Sequence, residues 1–244
     1  MVHLKLLAAI GYGLLAPVLA QGSLRYMPFG DSITELGCWR AEVWQKLQEA
    51  GGPAIDFVGS MNSQTQCSGL NYDRNHEGHA GFQAVNIANQ NQLVNWLQSN
   101  PADIITMHLG TNDVLNGRST NDIIASFDKM VDQMRASNPR MRIIVAQIIP
   151  LPFTDQLVRD LNVAIPAWAQ SKNIAESPIW VIDQYEGFSS SDLGGDGIHP
   201  NAAGDTKIAN KFFPAIVKAA QSLQAENYAN ERKAVGFSAL SDIH

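Results

Sequence analysis

From Leu24 onward the chain alternates short, almost unbroken apolar runs with longer segments whose apolar residues recur every three or four positions. The short runs are Leu24–Phe29, Ile55–Val58, Asp103–Leu109, Arg142–Ile149 and Pro178–Ile182. Runs of this kind are expected of strands covered on both faces. The longer segments predict helices. The first covers Glu35–Ala50, with Trp39, Val43, Trp44 and Leu47 on one stripe and Gly51-Gly52 as its stop. A second, over Ala84–Gln98, ends before Asn100-Pro101. A third starts from a cap at Ser119 or Thr120 and carries Ile123, Ile124, Phe127, Met130, Val131 and Met134 toward Asn138-Pro139. Gln156–Lys172 and Asn201–Leu223 complete the set, and Pro166 and Pro214 should kink or split them. Alternating strands and helices imply a mostly parallel sheet with helices on both faces and right-handed crossovers. The expected fold is therefore α/β, a flavodoxin-like three-layer α/β/α sandwich with a five-stranded parallel sheet. Ligands in such a sheet sit at the carboxyl ends of the strands.

The two ends of the chain break this pattern. Residues 1–20 hold Lys5, an apolar stretch from Leu6 to Leu15 and then Ala16-Pro17-Val18-Leu19-Ala20, which reads as a signal peptide cut before Gln21. The stretch is shorter than the roughly 20 residues of a membrane span, so the protein is expected to be secreted and extracellular rather than membrane-bound. Residues 21–224 form the expected domain. The tail, residues 225–244, is polar and unpatterned apart from Val235–Phe237, and no element or role is assigned to it.

Composition adds exclusions. Of 244 residues, 45% are hydrophobic and 16% charged, as in globular proteins. Seventeen Lys+Arg against 23 Asp+Glu give a net charge of -6 without a basic block, so nucleic acid is not an expected partner. The same mild negative field favours neutral substrates over polyanions, and a monomer is the default. The extracellular destination makes Cys38 and Cys67 candidates for one disulfide, the alternative being two unpaired buried thiols. Closing a loop of about 30 residues would stabilise the fold by roughly 3–4 kcal/mol on the chain-entropy account. There is no CxxC, no zinc pattern and no Asn-x-Ser/Thr sequon. No cofactor and no metal are expected.

Four segments fall in loops where the ligand edge should lie. Gly30-Asp31-Ser32-Ile33-Thr34 ends the first strand and opens a helix. Ser32 followed by Glu35 reads equally as a capping box or as a nucleophile, whose developing charge a helix N-terminus favours. Gly78-His79-Ala80-Gly81 could let a backbone amide approach a bound oxygen, or form a plain turn. Its neighbours His76, Glu77 and His79 do not match HExxH spacing, which argues against a metal. In Gly110-Thr111-Asn112-Asp113, the Asn112 amide could serve an oxyanion or merely build an Asx turn. In Asp196-Gly197-Ile198-His199-Pro200, Asp196 could hold the His199 imidazole by Nδ1–H and leave Nε2 free to accept a proton. Together they supply a hydroxyl, oxyanion donors and an oriented base.

These blocks, GDSIT, the glycine of GHAG, GTND and DGIHP, resemble the SGNH-hydrolase superfamily, also called GDSL esterases, from about Leu24 to Leu223. The resemblance implies the flavodoxin-like sandwich and a serine esterase with Ser32 as nucleophile, His199 as base and Asp196 orienting it. It implies an oxyanion hole of Ser32 N–H, Gly81 N–H and the Asn112 side chain, with Gly78 as rival to Gly81. Met27-Pro28-Phe29, Gly37-Cys38-Trp39-Arg40, Phe57-Val58-Gly59 and His76-Glu77-Gly78-His79-Ala80-Gly81 are similar to carbohydrate esterase family 3, the secreted acetylxylan and acetyl esterases. Two departures are Glu35-Leu36 between GDSIT and GCWR, and Ala80 where that family has serine. The implied partner is an acetylated neutral polysaccharide or oligosaccharide. A lipase or lysophospholipase would need a long apolar acyl channel, and no exposed lid is legible. A non-catalytic sugar-binding protein would use Trp39, Trp96 or Tyr72 for stacking, although Trp96 lies on a helical core stripe.

Overall fold

The computed structural model describes residues 22–62, 67 and 69–241. The expected signal peptide lies outside them. Leu24–Gly30 (β1), Ile55–Phe57 (β2), Glu77–Gly78 (β3), Ile104–His108 (β4), Arg142–Gln147 (β5) and Ile179–Asp183 (β6) form one parallel sheet. Its order is β2-β1-β4-β5-β6, with β3 paired to β1 off that path. All five expected strands are present in the flavodoxin-like order. The sixth, β3, has two residues, too short for any periodicity to announce. It takes over the edge of β1 where β2 stops: Leu24 to Tyr26 pair with β2, and Phe29 and Gly30 with β3.

Successive residues of the central strands serve opposite cores, as a pleat requires. Met27, Phe29, Ile105, Met107, Ile143 and Val145 face one helical layer, with Ile87, Leu93, Phe127, Leu161 and Ile165. Tyr26, Ile104, Ile144 and Ala146 face the other, with Trp39, Val43, Ile208, Phe212 and Ile216. The helices are Ser32–Leu36 (α1), Trp39–Ala50 (α2), Ala84–Gln90 (α3), Gln92–Ser99 (α4), Thr111–Leu115 (α5), Thr120–Ser137 (α6), Asp155–Lys172 (α7) and Ala202–Ser241 (α8). The first layer is built from α3, α4, α6 and α7, and the second from α1, α2 and α8.

Several expected helix boundaries are corrected. The first helix is two, because Gly37 adopts an extended conformation between α1 and α2. The second is two as well, because Asn91, one of the few residue types that enter the left-handed region readily, sits there at φ 53°. Neither proline splits its helix. Ile165 and Trp168 on either side of Pro166, and Phe212 and Ile216 around Pro214, are buried, so packing holds both arms. The segment beyond Leu223, which has no legible pattern, continues α8 to Ser241. Glu226 there pairs with Arg140 at 2.9 Å and with the buried Arg142 at 2.5 Å. Cys38 and Cys67 form a disulfide, which ties the start of α2 to the loop before β3.

Candidate active site

The site lies at the carboxyl edge of the sheet, where β1 has β2 and β3 on one side and β4 on the other. At this position the chain's crossovers leave in opposite directions and open a crevice. Ser32 follows β1 at the first position of α1 and is 8% exposed. The capping-box reading of Ser32 is corrected. Asp31 is the cap, its Oδ1 accepting the Ile33 amide at 3.0 Å, and the Ser32 hydroxyl is left to the site. Ser32 Oγ lies 2.8 Å from His199 Nε2, and His199 Nδ1 lies 2.6 Å from Asp196 Oδ2. Asp196 Oδ1 accepts the Ile198 and His199 amides at 2.9 and 3.0 Å, so one carboxylate sets both its loop and the ring. The bond to His199, with those two amides, pulls its pKa down to about 2.

A five-residue helix leaves its last carbonyls without intrahelical partners. The GCWR block supplies them from the chain that follows. Trp39 Nε1 donates to Ile33 O at 3.0 Å, Arg40 Nε to Thr34 O at 2.7 Å and Arg40 Nη2 to Glu35 O at 3.0 Å. Helix α1 is thereby clamped at both ends.

The two glycines proposed as oxyanion donors are not equivalent. The Gly78 amide donates to His76 Nδ1 at 3.0 Å and is committed. Gly78 instead permits close approach: a Cβ on it would come within 2.6 Å of the Glu35 nitrogen. Gly81 is exposed, adopts φ 80°, and its amide carries no hydrogen bond among the described residues. The loop bearing it is held from several sides. Ala80 N donates to Glu35 Oε2 at 2.6 Å, and His79 N to Gly30 O at 3.0 Å. The His79 ring stacks on Trp96 and Phe82, with centroids 4.3 and 4.9 Å away, and its Nε2 meets the buried Glu77 carboxylate at 2.6 Å. Glu77 in turn accepts the amide and hydroxyl of Ser60 at 2.8 and 2.6 Å.

Asn112 lies in the short helix α5, not in an Asx turn. Its Nδ2 donates one proton to Phe82 O at 3.0 Å, which fixes the amide beside the Gly81 loop and leaves the second proton to the crevice. Asp113 accepts the Ala84 and Val85 amides at 2.7 and 3.0 Å and so caps α3 from outside it. Burial raises the Asp113 pKa and those amides oppose the rise. Asp31 is fully buried, and burial pushes its pKa up to about 7 against the Ile33 amide and the His199 ring. Asp31 as cap, Glu35 as tether and Asp113 as remote cap were not legible in the sequence. The one available signal was that Asp31 precedes Ser32 and Asp113 follows Asn112 directly. The proposed stacking residues are not available: Trp39 and Tyr72 are buried, and Trp96 packs against His79.

A hydroxyl, an imidazole and a carboxylate in line at the ligand edge of such a sandwich define an ester hydrolase of the SGNH type. The chain belongs to the GDSL-like Lipase/Acylhydrolase family, which matches residues 29–207, and it is a carboxylic ester hydrolase. It is 40% identical to an acetyl esterase whose serine-to-alanine mutant was solved with acetate ion, over 82% of this chain and 99% of that one, TM-score 0.79. It is also 40% identical to a carbohydrate esterase family 3 protein from Talaromyces cellulolyticus, with the same coverage and TM-score 0.78. A multidomain esterase from Ruminococcus flavefaciens is 28% identical over 81% of this chain, which spans 29% of that protein's length. No helix among the described residues is long and apolar enough to cross a membrane.

Proposed function

We propose that the protein is a secreted acetyl esterase that removes acetyl groups from plant-wall polysaccharide, with acetylated xylan as the first candidate. The observation that carries this reading is the continuous hydrogen-bonded line from Ser32 Oγ through His199 to Asp196, at 2.8 and 2.6 Å. In the first step His199 Nε2 takes the Ser32 proton as Oγ attacks the ester carbonyl, and Asp196 stabilises the imidazolium through Nδ1–H. The tetrahedral oxyanion is received by the Ser32 and Gly81 amides and the free proton of Asn112 Nδ2. His199 then gives that proton to the sugar oxygen as its bond to the acyl carbon breaks, so the sugar leaves with a free hydroxyl. Water repeats the sequence on the acetyl-enzyme and releases acetate. The likeness to an acetyl esterase and to a carbohydrate esterase family 3 protein supports the acyl group and the substrate class. The apolar leader and the disulfide support export.

The test is acetate release from acetylated xylan and from p-nitrophenyl acetate by the chain from residue 21 onward, beside Ser32→Ala. Release from both, lost in the variant, is the expected result. Turnover of the small ester alone would remove the polysaccharide, and a series of p-nitrophenyl esters peaking well beyond butyrate would remove the acetyl preference.

A further inference from the structure

The esterase reading leaves open what holds the polymer while one of its acetyl groups is in the crevice. Phe153 stands out by position. It lies in the loop between β5 and α7, at the same carboxyl edge as Ser32, and its side chain is 76% exposed. Its ring lies against Gly197, where a Cβ would meet the Phe153 ring at 3.1 Å. Gly197 also sits at φ 68°, so glycine there serves both the turn and the ring. It falls between Asp196 and His199 in the loop that orients the base. One edge of the ring therefore rests on the catalytic loop while its face is open to solvent.

Among the described residues, the other aromatic rings nearest the site or most exposed do not offer this. Trp96 and Phe82 are covered by His79. Tyr185, Phe188 and Trp180 each carry a cation over the ring, from Arg159, Lys207 and Lys218. Tyr228, the other strongly exposed aromatic among the described residues, lies on α8 some 26 residues past its start, about 39 Å along a helix that begins at the active-site edge.

We propose that Phe153 is a stacking platform for a neutral sugar ring of the polymer, flanking the residue that carries the acetyl ester. This rests on the esterase reading. An open aromatic face has no charge requirement and matches the apolar C–H face of a pyranose. Resting on the His199 loop, it registers the polymer against the base without touching the reacting atoms.

The experiment compares wild type, Phe153→Ala and Phe153→Trp on acetylated xylohexaose and on p-nitrophenyl acetate. Phe153→Ala is expected to lower kcat/KM for the oligosaccharide, relative to that for the small ester, by roughly three- to tenfold, the size of one aromatic stacking contact. The loss should lie in KM, and Phe153→Trp should restore it. An equal loss on both substrates would reassign the ring to support of the His199 loop, and no loss on either would remove it; both overturn the proposal. A dependence on Phe153 that grows with acyl length on p-nitrophenyl esters would give the ring to the acyl chain and overturn it too. Should wild type fail to act on the oligosaccharide at all, the substrate reading fails by itself. The platform is then decided by titrating Ser32→Ala, with and without Phe153→Ala, with xylohexaose, cellohexaose and mannohexaose. Binding weakened by loss of the ring supports it, and equal or absent binding overturns it.

Discussion

Asn112 holds one amide proton on Phe82 O, and on the proposed mechanism its other serves the developing oxyanion, so its loss would remove a charge-directed donor together with an anchor of the Gly81 loop. Asn112→Ala is expected to lower kcat on p-nitrophenyl acetate by about 10²–10³, the usual cost of one such donor, and stopped-flow or steady-state assays would read it. Unchanged kcat would take Asn112 out of the hole. A different residue, Asp205, carries a pH signature. It is 3% exposed beside Gly37, and burial raises its pKa to about 7 against the amides of Cys38 and Trp39. A carboxyl raised in the folded state binds more protons than in the unfolded chain between its two pKa values, so its contribution is full below about 4. That contribution is lost as pH rises through about 7. Melting temperatures of wild type and Asp205→Asn, measured from pH 4 to 8, are expected to shift in the variant's favour as pH rises. A constant difference would assign Asp205 an ordinary pKa.

At the scale of elements, α1 and the loop from β3 to α3 act as one unit, because Glu35 on α1 holds the peptide just before Gly81. Gly78 is what lets them meet. Gly78→Ala must push the loop off the Glu35 nitrogen, so both kcat and thermal stability are expected to fall. Gly81→Ala has open space and meets only the strain of φ 80°, of order 1 kcal/mol. A stability loss at residue 81 as large as that at residue 78 would refute the distinction. Glu35→Ala is expected to reduce kcat about tenfold with KM little changed, and Glu35→Gln, which keeps an acceptor, to retain most of it. The five main strands were legible because runs buried on both faces are continuous in sequence, as in Arg142–Gln147. The breaks at Gly37 and Asn91 were not, because each interrupts an apolar stripe without disturbing its spacing. The candidate residues Ser32 and Asn112 stood out in the sequence because each follows a strand end, and His199 because it shares a short loop with Asp196 ahead of the last helix. The carboxylates that position them were not legible, because Asp31, Glu35 and Asp113 act on backbone amides, which sequence does not display.

For the whole molecule, the two layers are unequal, since one includes a helix of 40 residues that outruns the sheet. Its first part covers the core through Leu223, and beyond that Glu226 meets Arg140 and Arg142. Arg142 is buried on its other sides and donates three further hydrogen bonds, to Ser222 Oγ and the carbonyls of Arg140 and Glu176. Truncation after Tyr228 is expected to leave the melting temperature within about a degree. Truncation after Gln224 should lower it by several degrees by stranding the Arg142 guanidinium. Equal melting temperatures for the two would show that Arg142 is satisfied without Glu226.

The hydroxyl and the imidazole that meet at 2.8 Å are separated by 167 residues of chain. The hydroxyl and the amide donors are all synthesised first, on segments that end before β5. A chain emerging from the ribosome therefore carries the hydroxyl and the amide donors before the imidazole and its carboxylate, both of which arrive in the stretch that leads into the final helix. On the proposed mechanism, a fragment that ends before this stretch has the nucleophile without its base. The order of the chain thus couples completion of the proposed site to the docking of the last helix.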